Sequence, residues 1–131
     1  MSRRPTPTPR PTDAELEILT VLWSRGPSTV RQVHETIGRR RTAQYSTVLK
    51  FMQIMAEKGL VRRNEDQRAH IYEAAQPREW TQQRLAGDLL QRAFSGSASK
   101  LLLGALSSRR ASKQELAELR KILDDYEKGA K

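Results

Sequence analysis

The chain has 131 residues, with 24 lysines and arginines against 15 aspartates and glutamates, two histidines and no cysteine. That length suits one ordinary domain, or one small domain with an oligomerisation element. A net charge of +9 favours a polyanionic partner, nucleic acid ahead of an acidic membrane surface, and the lack of cysteine excludes disulfides, thiolate zinc sites and cysteine nucleophiles.

Residues 1–11 carry four prolines and three arginines and no apolar side chain beyond Met1. Such a segment cannot bury surface, so a disordered or polyproline-like arm is expected, either a solvated terminus or an arginine arm reaching phosphates. It has no apolar core of the kind a secretory signal needs. No run in the chain approaches the ~20 apolar residues that span a bilayer. A soluble, cytoplasmic protein is therefore expected.

Thr12-Asp13-Ala14-Glu15 reads as a capping box, the hydroxyl serving one free amide while Glu15 reaches back to another. The helix it opens buries Leu16, Leu19, Val21 or Leu22, and Trp23, and stops at Gly26-Pro27. After a short extended piece, Ser28-Thr29, a second box pairs Thr29 with Gln32. It opens a helix through Val30, Val33 and Ile37 to Gly38. Arg39, Arg40 and Arg41 join this helix to the next, and as backbone anchors they would position nucleic acid without reading sequence.

The third helix, about Gln44 to Lys58, is the most telling element. Tyr45, Val48, Met52 and Met55 recur at helical spacing and predict an inward face. Ser46, Thr47, Lys50 and Gln53 fall opposite them. Surface helices usually alternate glutamate and lysine. Small hydroxyls, an amide and one lysine instead suit a nucleic-acid groove, where base edges and phosphates need donors without bulk. Gln44 and Tyr45 join the candidate contacts, Tyr45 with its ring against the core and its hydroxyl toward a phosphate.

Past Gly59 the period changes to two. Leu60-Val61-Arg62-Arg63 and Ala69-His70-Ile71-Tyr72-Glu73 flank the polar tip 64–68, which predicts a β-hairpin. Arg62, Arg63 and Arg68 are its candidate phosphate contacts. Three helices and a hairpin make a winged helix-turn-helix over residues 12–76.

Residues 77–131 read as purely helical. Trp80, Leu85, Leu89, Leu90 and Phe94 lie along one helix that breaks at Ser95-Gly96-Ser97. Leu101, Leu102, Leu103 and Leu106 form a short apolar segment. Ser112 with Glu115 predicts a third capping box, opening a helix with Leu116, Leu119, Leu123 and Tyr126 at three and four spacing. These are too many large apolar groups for one thin hairpin, so this region is expected to be the dimerisation half of a symmetric homodimer. The fold class is thus mainly α with a small β-hairpin, an N-terminal winged helix followed by a C-terminal helical dimerisation region.

Nothing in the chain resembles a catalytic constellation. The carboxylates sit in caps and on exposed faces, and no phosphate loop or hydrolase elbow occurs. His34 and His70 are too far apart in sequence to suggest a metal site. Trp23 and Trp80 read as core residues rather than base-stacking platforms. No enzyme, cofactor or metal is expected.

Several of these segments together resemble the penicillinase-repressor family of the BlaI/MecI/CopY type. They are Thr12-Asp13-Ala14-Glu15-Leu16-Glu17-Ile18-Leu19 with Leu22-Trp23, then Tyr45-Ser46-Thr47-Val48, Lys58-Gly59-Leu60-Val61, and Tyr72 at the end of the wing. Phe94-Ser95-Gly96-Ser97 before Leu101-Leu102-Leu103, and Glu115-Leu116 with Leu119-Arg120, resemble its dimerisation half. The resemblance implies a homodimeric winged-helix repressor on the double-stranded DNA of an inverted-repeat operator. It further implies control of a β-lactamase-type or related resistance operon, and a membrane-bound sensor metalloprotease as inactivating partner. By position the cleaved bond would be Gly104-Ala105, where the resistance members carry an Asn-Phe pair. The cysteine cluster of the copper-responsive members is missing here. Lys50 stands where a threonine is common and Gln53-Ile54 where two basic residues are common, which implies a different operator. The alternative reading is a winged-helix protein-interaction module without sequence-specific DNA binding.

Overall fold

The computed structural model describes residues 10–39, 42–66 and 68–129. Arg40, Arg41 and most of the expected N-terminal arm lie outside the described residues. Two compact units divide between Leu85 and Ala86. The first contains α1 (Asp13–Arg25), α2 (Val30–Gly38), α3 (Tyr45–Lys58), β1 (Val61–Asn64), β2 (Ile71–Ala74) and the start of α4 (Arg78–Phe94). The rest of α4, α5 (Ala98–Ser108) and α6 (Lys113–Gly129) make up the second. The protein is mainly helical with one two-stranded antiparallel hairpin, a winged helix-turn-helix fold.

Both expected capping boxes in the first unit form. Glu15 N donates to Thr12 Oγ1 at 3.2 Å and Thr12 N to Glu15 Oε1 at 2.9 Å. Gln32 N donates to Thr29 Oγ1 at 3.2 Å and Thr29 N to Gln32 Oε1 at 2.9 Å. Each satisfies two amides that a helix start leaves without partners.

From α1, Ile18, Leu19, Val21 and Leu22 are buried; from α2, Val30, Val33 and Ile37; from α3, Val48, Met52 and Met55. Leu60, Val61 and Tyr72 complete one continuous core. Trp23 is half-buried at its edge, its indole N–H donating to Gln76 O at 3.0 Å. Arg78 lies over the Trp23 ring and bonds the Ser24 hydroxyl at 3.1 Å, which ties the start of α4 to the end of α1.

The hairpin pairs Val61 with Ala74, Arg62 with Glu73, Arg63 with Tyr72 and Asn64 with Ile71. Its strands start one to two residues later than the alternation suggests. Leu60 is used to close α3, its N–H on Met55 O at 2.9 Å, and Ala69 and His70 belong to the exposed tip. Gly59, at φ +83°, makes that closure in a conformation that side-chain-bearing residues rarely adopt. The extended piece before α2 also joins the wing: Ser28 N donates to Tyr72 O at 2.9 Å and Tyr72 N to Ser28 O at 2.8 Å.

Two tryptophan and tyrosine expectations are corrected. Trp80 is not a core residue but 40% exposed, with the Arg84 guanidinium over its ring. Tyr45 is 46% exposed rather than packed inward. It occupies the first residue of α3, where no neighbouring turn covers the ring.

Glu15 does more than cap. At 1% exposure it also accepts Lys58 Nζ on both carboxylate oxygens, at 3.1 and 2.9 Å. Burial alone would raise its pKa, but the bonds from Lys58 and Thr12 outweigh burial and hold it below the ordinary carboxylate value. A lowered folded pKa gives stability that is complete above the unfolded value and lost as pH falls through the folded one. Glu15→Gln is expected to cost about 2 kcal/mol at neutral pH, less than a fully buried pair because Lys58 can turn to water. Thermal unfolding of both proteins across pH checks this: the gap should close as the pH falls below 4.5.

Candidate nucleic-acid interface

The outward face of α3 is set by what its inward face must bury. With Val48, Met52 and Met55 in the core, helical geometry turns Ser46, Thr47, Lys50 and Gln53 to solvent, and all four are exposed. None of the four takes a side-chain hydrogen bond or ion pair from another described residue. Gln44 is the N-cap of α3 and exposed, but its side chain makes no capping bond. Ile54, which a helical wheel places outward, is half-buried.

An open concavity runs beside this face. Its walls are the start of α2, with Arg31 and Gln32, the α3 residues Tyr45 and Gln53, and the wing residues Arg68 and His70. Arg31 and Arg68 are exposed, and neither forms an ion pair with a described residue. Their charge is available to a phosphate. The other two wing arginines are occupied. Arg62 lies 3.7 Å from Glu73 and donates to Ala75 O at 3.2 Å. Arg63 pairs with Glu65 at 2.6 Å, and the Tyr72 hydroxyl with that carboxylate raises its pKa. Arg39 is exposed at the C-cap of α2, whereas Arg40 and Arg41 lie outside the described residues.

The basic surface therefore differs in detail from the sequence expectation. Nothing in the sequence pattern singles out Arg31. The Val30, Val33, Ile37 pattern puts it on the outer side of α2, but only the folded hairpin brings Arg68 to the same concavity. His34 also does something periodicity does not reveal: its Nε2 donates to Ala43 O at 2.7 Å, and its ring meets Tyr45 edge-on at 5.8 Å. Among the described residues no group of three histidines, cysteines or carboxylates converges to hold a metal ion, and no helix is long and apolar enough to cross a membrane.

The residues expected at a dimer interface fall in both units. Trp80 and Leu85 belong to the first, where with Leu19, Leu60, Thr81 and Arg84 they line a small apolar crevice. In the second unit Ser95 and Gly96, at φ 49° and 83°, end α4, and the Ser97 hydroxyl caps α5 through Lys100 N at 3.2 Å. Phe94 packs against Gly104, where an added Cβ would lie 3.6 Å from its ring. Neither α5 nor α6 has a buried residue. Leu101, Leu102, Leu106 and Leu119 are half-buried. Leu89 is 47% exposed, Leu103 65%, Ile122 61%, Leu123 58% and Tyr126 79%, with Leu116 at 36%. Gly104 and Ala105 are exposed within α5. Half of the third capping box forms, Glu115 N donating to Ser112 Oγ at 3.0 Å. The Glu115 carboxylate is bound instead by Arg109, at 3.1 and 3.2 Å.

Comparison with known proteins places this arrangement. A family model described as Penicillinase repressor matches residues 11–125. The chain is 38% identical over 119 residues to a protein named Transcriptional regulator BlaI in two strains of Mycobacterium tuberculosis, covering 89% of this chain and 85% of that protein. It is 22% identical over 118 residues to a protein named Penicillinase repressor from Bacillus licheniformis, covering 90% and 92% respectively.

Proposed function

The chain belongs to the penicillinase-repressor family, and from that premise we propose that it is a DNA-binding transcriptional repressor acting as a homodimer on an inverted-repeat operator. The observation that carries the reading is the outward face of α3. Ser46, Thr47, Lys50 and Gln53 are exposed and uncommitted, and Arg31 and Arg68 line the concavity that Gln53 borders. A helix of this kind enters the major groove, where hydroxyls, amides and lysine read base edges while flanking arginines hold phosphates. Regulation of a β-lactamase-type or related resistance operon is supported by the name of the Bacillus relative. The fold performs no chemistry in this role; it occludes a promoter.

Dimerisation is supported by the second unit. A three-helix segment in which α5 and α6 bury no side chain leaves Leu89, Leu103, Leu116 and Leu123 exposed, and covering them with a second copy removes that cost. Two linked half-sites bind with the avidity that one half-site lacks. Loosening this half would therefore release the operator. Cleavage by a membrane-bound sensor metalloprotease at Gly104-Ala105 is one way to do so, and its support is the family together with the exposure of both residues. Leu123→Asp is expected to convert a species of twice the chain's 15.0 kDa into a monomer by light scattering, with a parallel loss of operator affinity.

Fluorescence anisotropy on duplexes selected from a randomised pool, at several salt concentrations, tests the DNA reading. Thr47→Ala should weaken the selected duplex by about 1–3 kcal/mol and alter base preference. Arg31→Ala should weaken all duplexes alike and lower the salt slope by about one. A wild-type protein that selects no sequence, and whose weak binding vanishes with salt, would favour the protein-interaction module instead.

A further inference from the structure

The start of α3 poses a problem that the rest of the fold does not solve. Its N-cap, Gln44, makes no side-chain bond, whereas α1 and α2 each open on a complete capping box. An uncapped first turn frays. Yet that turn carries Ser46 and Thr47, the short side chains that must meet a base edge within a few tenths of an ångström. Their reach is too small to compensate for a moving backbone.

We infer that His34 of α2 is the positioning residue for this reading face, a clamp on the segment that enters the helix; its ring N–H serves a carbonyl and leaves the free first-turn amides as they are. Its imidazole grips the chain on both sides of Gln44. On one side Nε2 donates to Ala43 O at 2.7 Å; on the other its ring meets Tyr45 edge-on at 5.8 Å. The two contacts fix the residues before and after the N-cap, and the backbone bonds from Thr47 N and Val48 N to Gln44 O, each 3.1 Å, begin between them. His34 is itself held in register because Val33 and Ile37 on the same helix are buried. It is half-buried. It acts through Ala43 and Tyr45.

This inference rests on the DNA reading for its purpose but not for its geometry, and the experiment separates the two. Amide hydrogen exchange on the free protein needs no DNA. His34→Ala should speed exchange at Thr47 and Val48 about tenfold while leaving Met52 to Ala56 near wild type. His34→Gln, whose amide can donate to the same carbonyl, should recover most of the protection. Unchanged exchange in His34→Ala would overturn the assignment. So would acceleration spread evenly through α3 and the core, since that would mark a general stability defect.

The DNA arm uses a duplex selected by the wild-type protein and a scrambled control. His34→Ala should bind the selected duplex about tenfold more weakly and the control unchanged, with His34→Gln between. Equal losses on both duplexes, or none, would overturn the positioning role. If the wild type discriminates no duplex, the DNA reading fails and the exchange result alone decides whether His34 orders the first turn.

Discussion

One buried carboxylate joins the two ends of the helical frame in the first unit. Glu15 closes the capping box of α1 and, 43 residues on, takes Lys58 at the end of α3. A single buried group thus ties the N-terminus of the first helix to the C-terminus of the helix that carries the outward-facing contacts. The pairing tolerates burial because both oxygens are satisfied, one by a backbone amide and the ammonium, the other by the ammonium. With Val48, Met52 and Met55 pinning the middle and His34 holding the start, α3 is fixed along its whole length. The wing is bound into the same frame through the two Ser28–Tyr72 bonds.

What could be read from the sequence was what local chemistry dictates. The boxes at Thr12 and Thr29 are bonds between residues three apart that no neighbour breaks, and the core faces of α2 and α3 follow from spacing. At Ser112 the same motif half fails because Arg109, a neighbour outside the pattern, takes the Glu115 carboxylate. Tyr45 misleads in another way: periodicity assigns it to the inward face, but at the first residue of the helix it meets the His34 ring edge-on and stays 46% exposed. The Glu15–Lys58 pair, the His34 grip and the placing of Arg31 and Arg68 on one concavity all bring together residues distant in sequence, and no period encodes them. The candidate reading face was legible; the residues that hold it steady were not.

The two units use apolar side chains in opposite ways. In the first, leucine, valine and methionine are enclosed by their own chain. In the second, Leu103, Ile122, Leu123 and Tyr126 are left more than half exposed, and the short α5 and the single half-box before α6 give little to hold such helices alone. The proposed dimer makes a virtue of this weakness, because a segment whose order depends on a partner is also one that can be undone without disturbing the winged helix.

The side chains on the outer face of α3 have a bearing on how such a protein changes over time. Ser46, Thr47, Lys50 and Gln53 hold no bond or ion pair with other described residues, while the groups that orient the helix lie at its two ends and beneath it. Substitution on that face therefore spends almost none of the folding free energy. On the proposed DNA reading, a lineage could exchange these four residues and arrive at a new target sequence with the scaffold intact, so the architecture separates heritable stability from heritable preference.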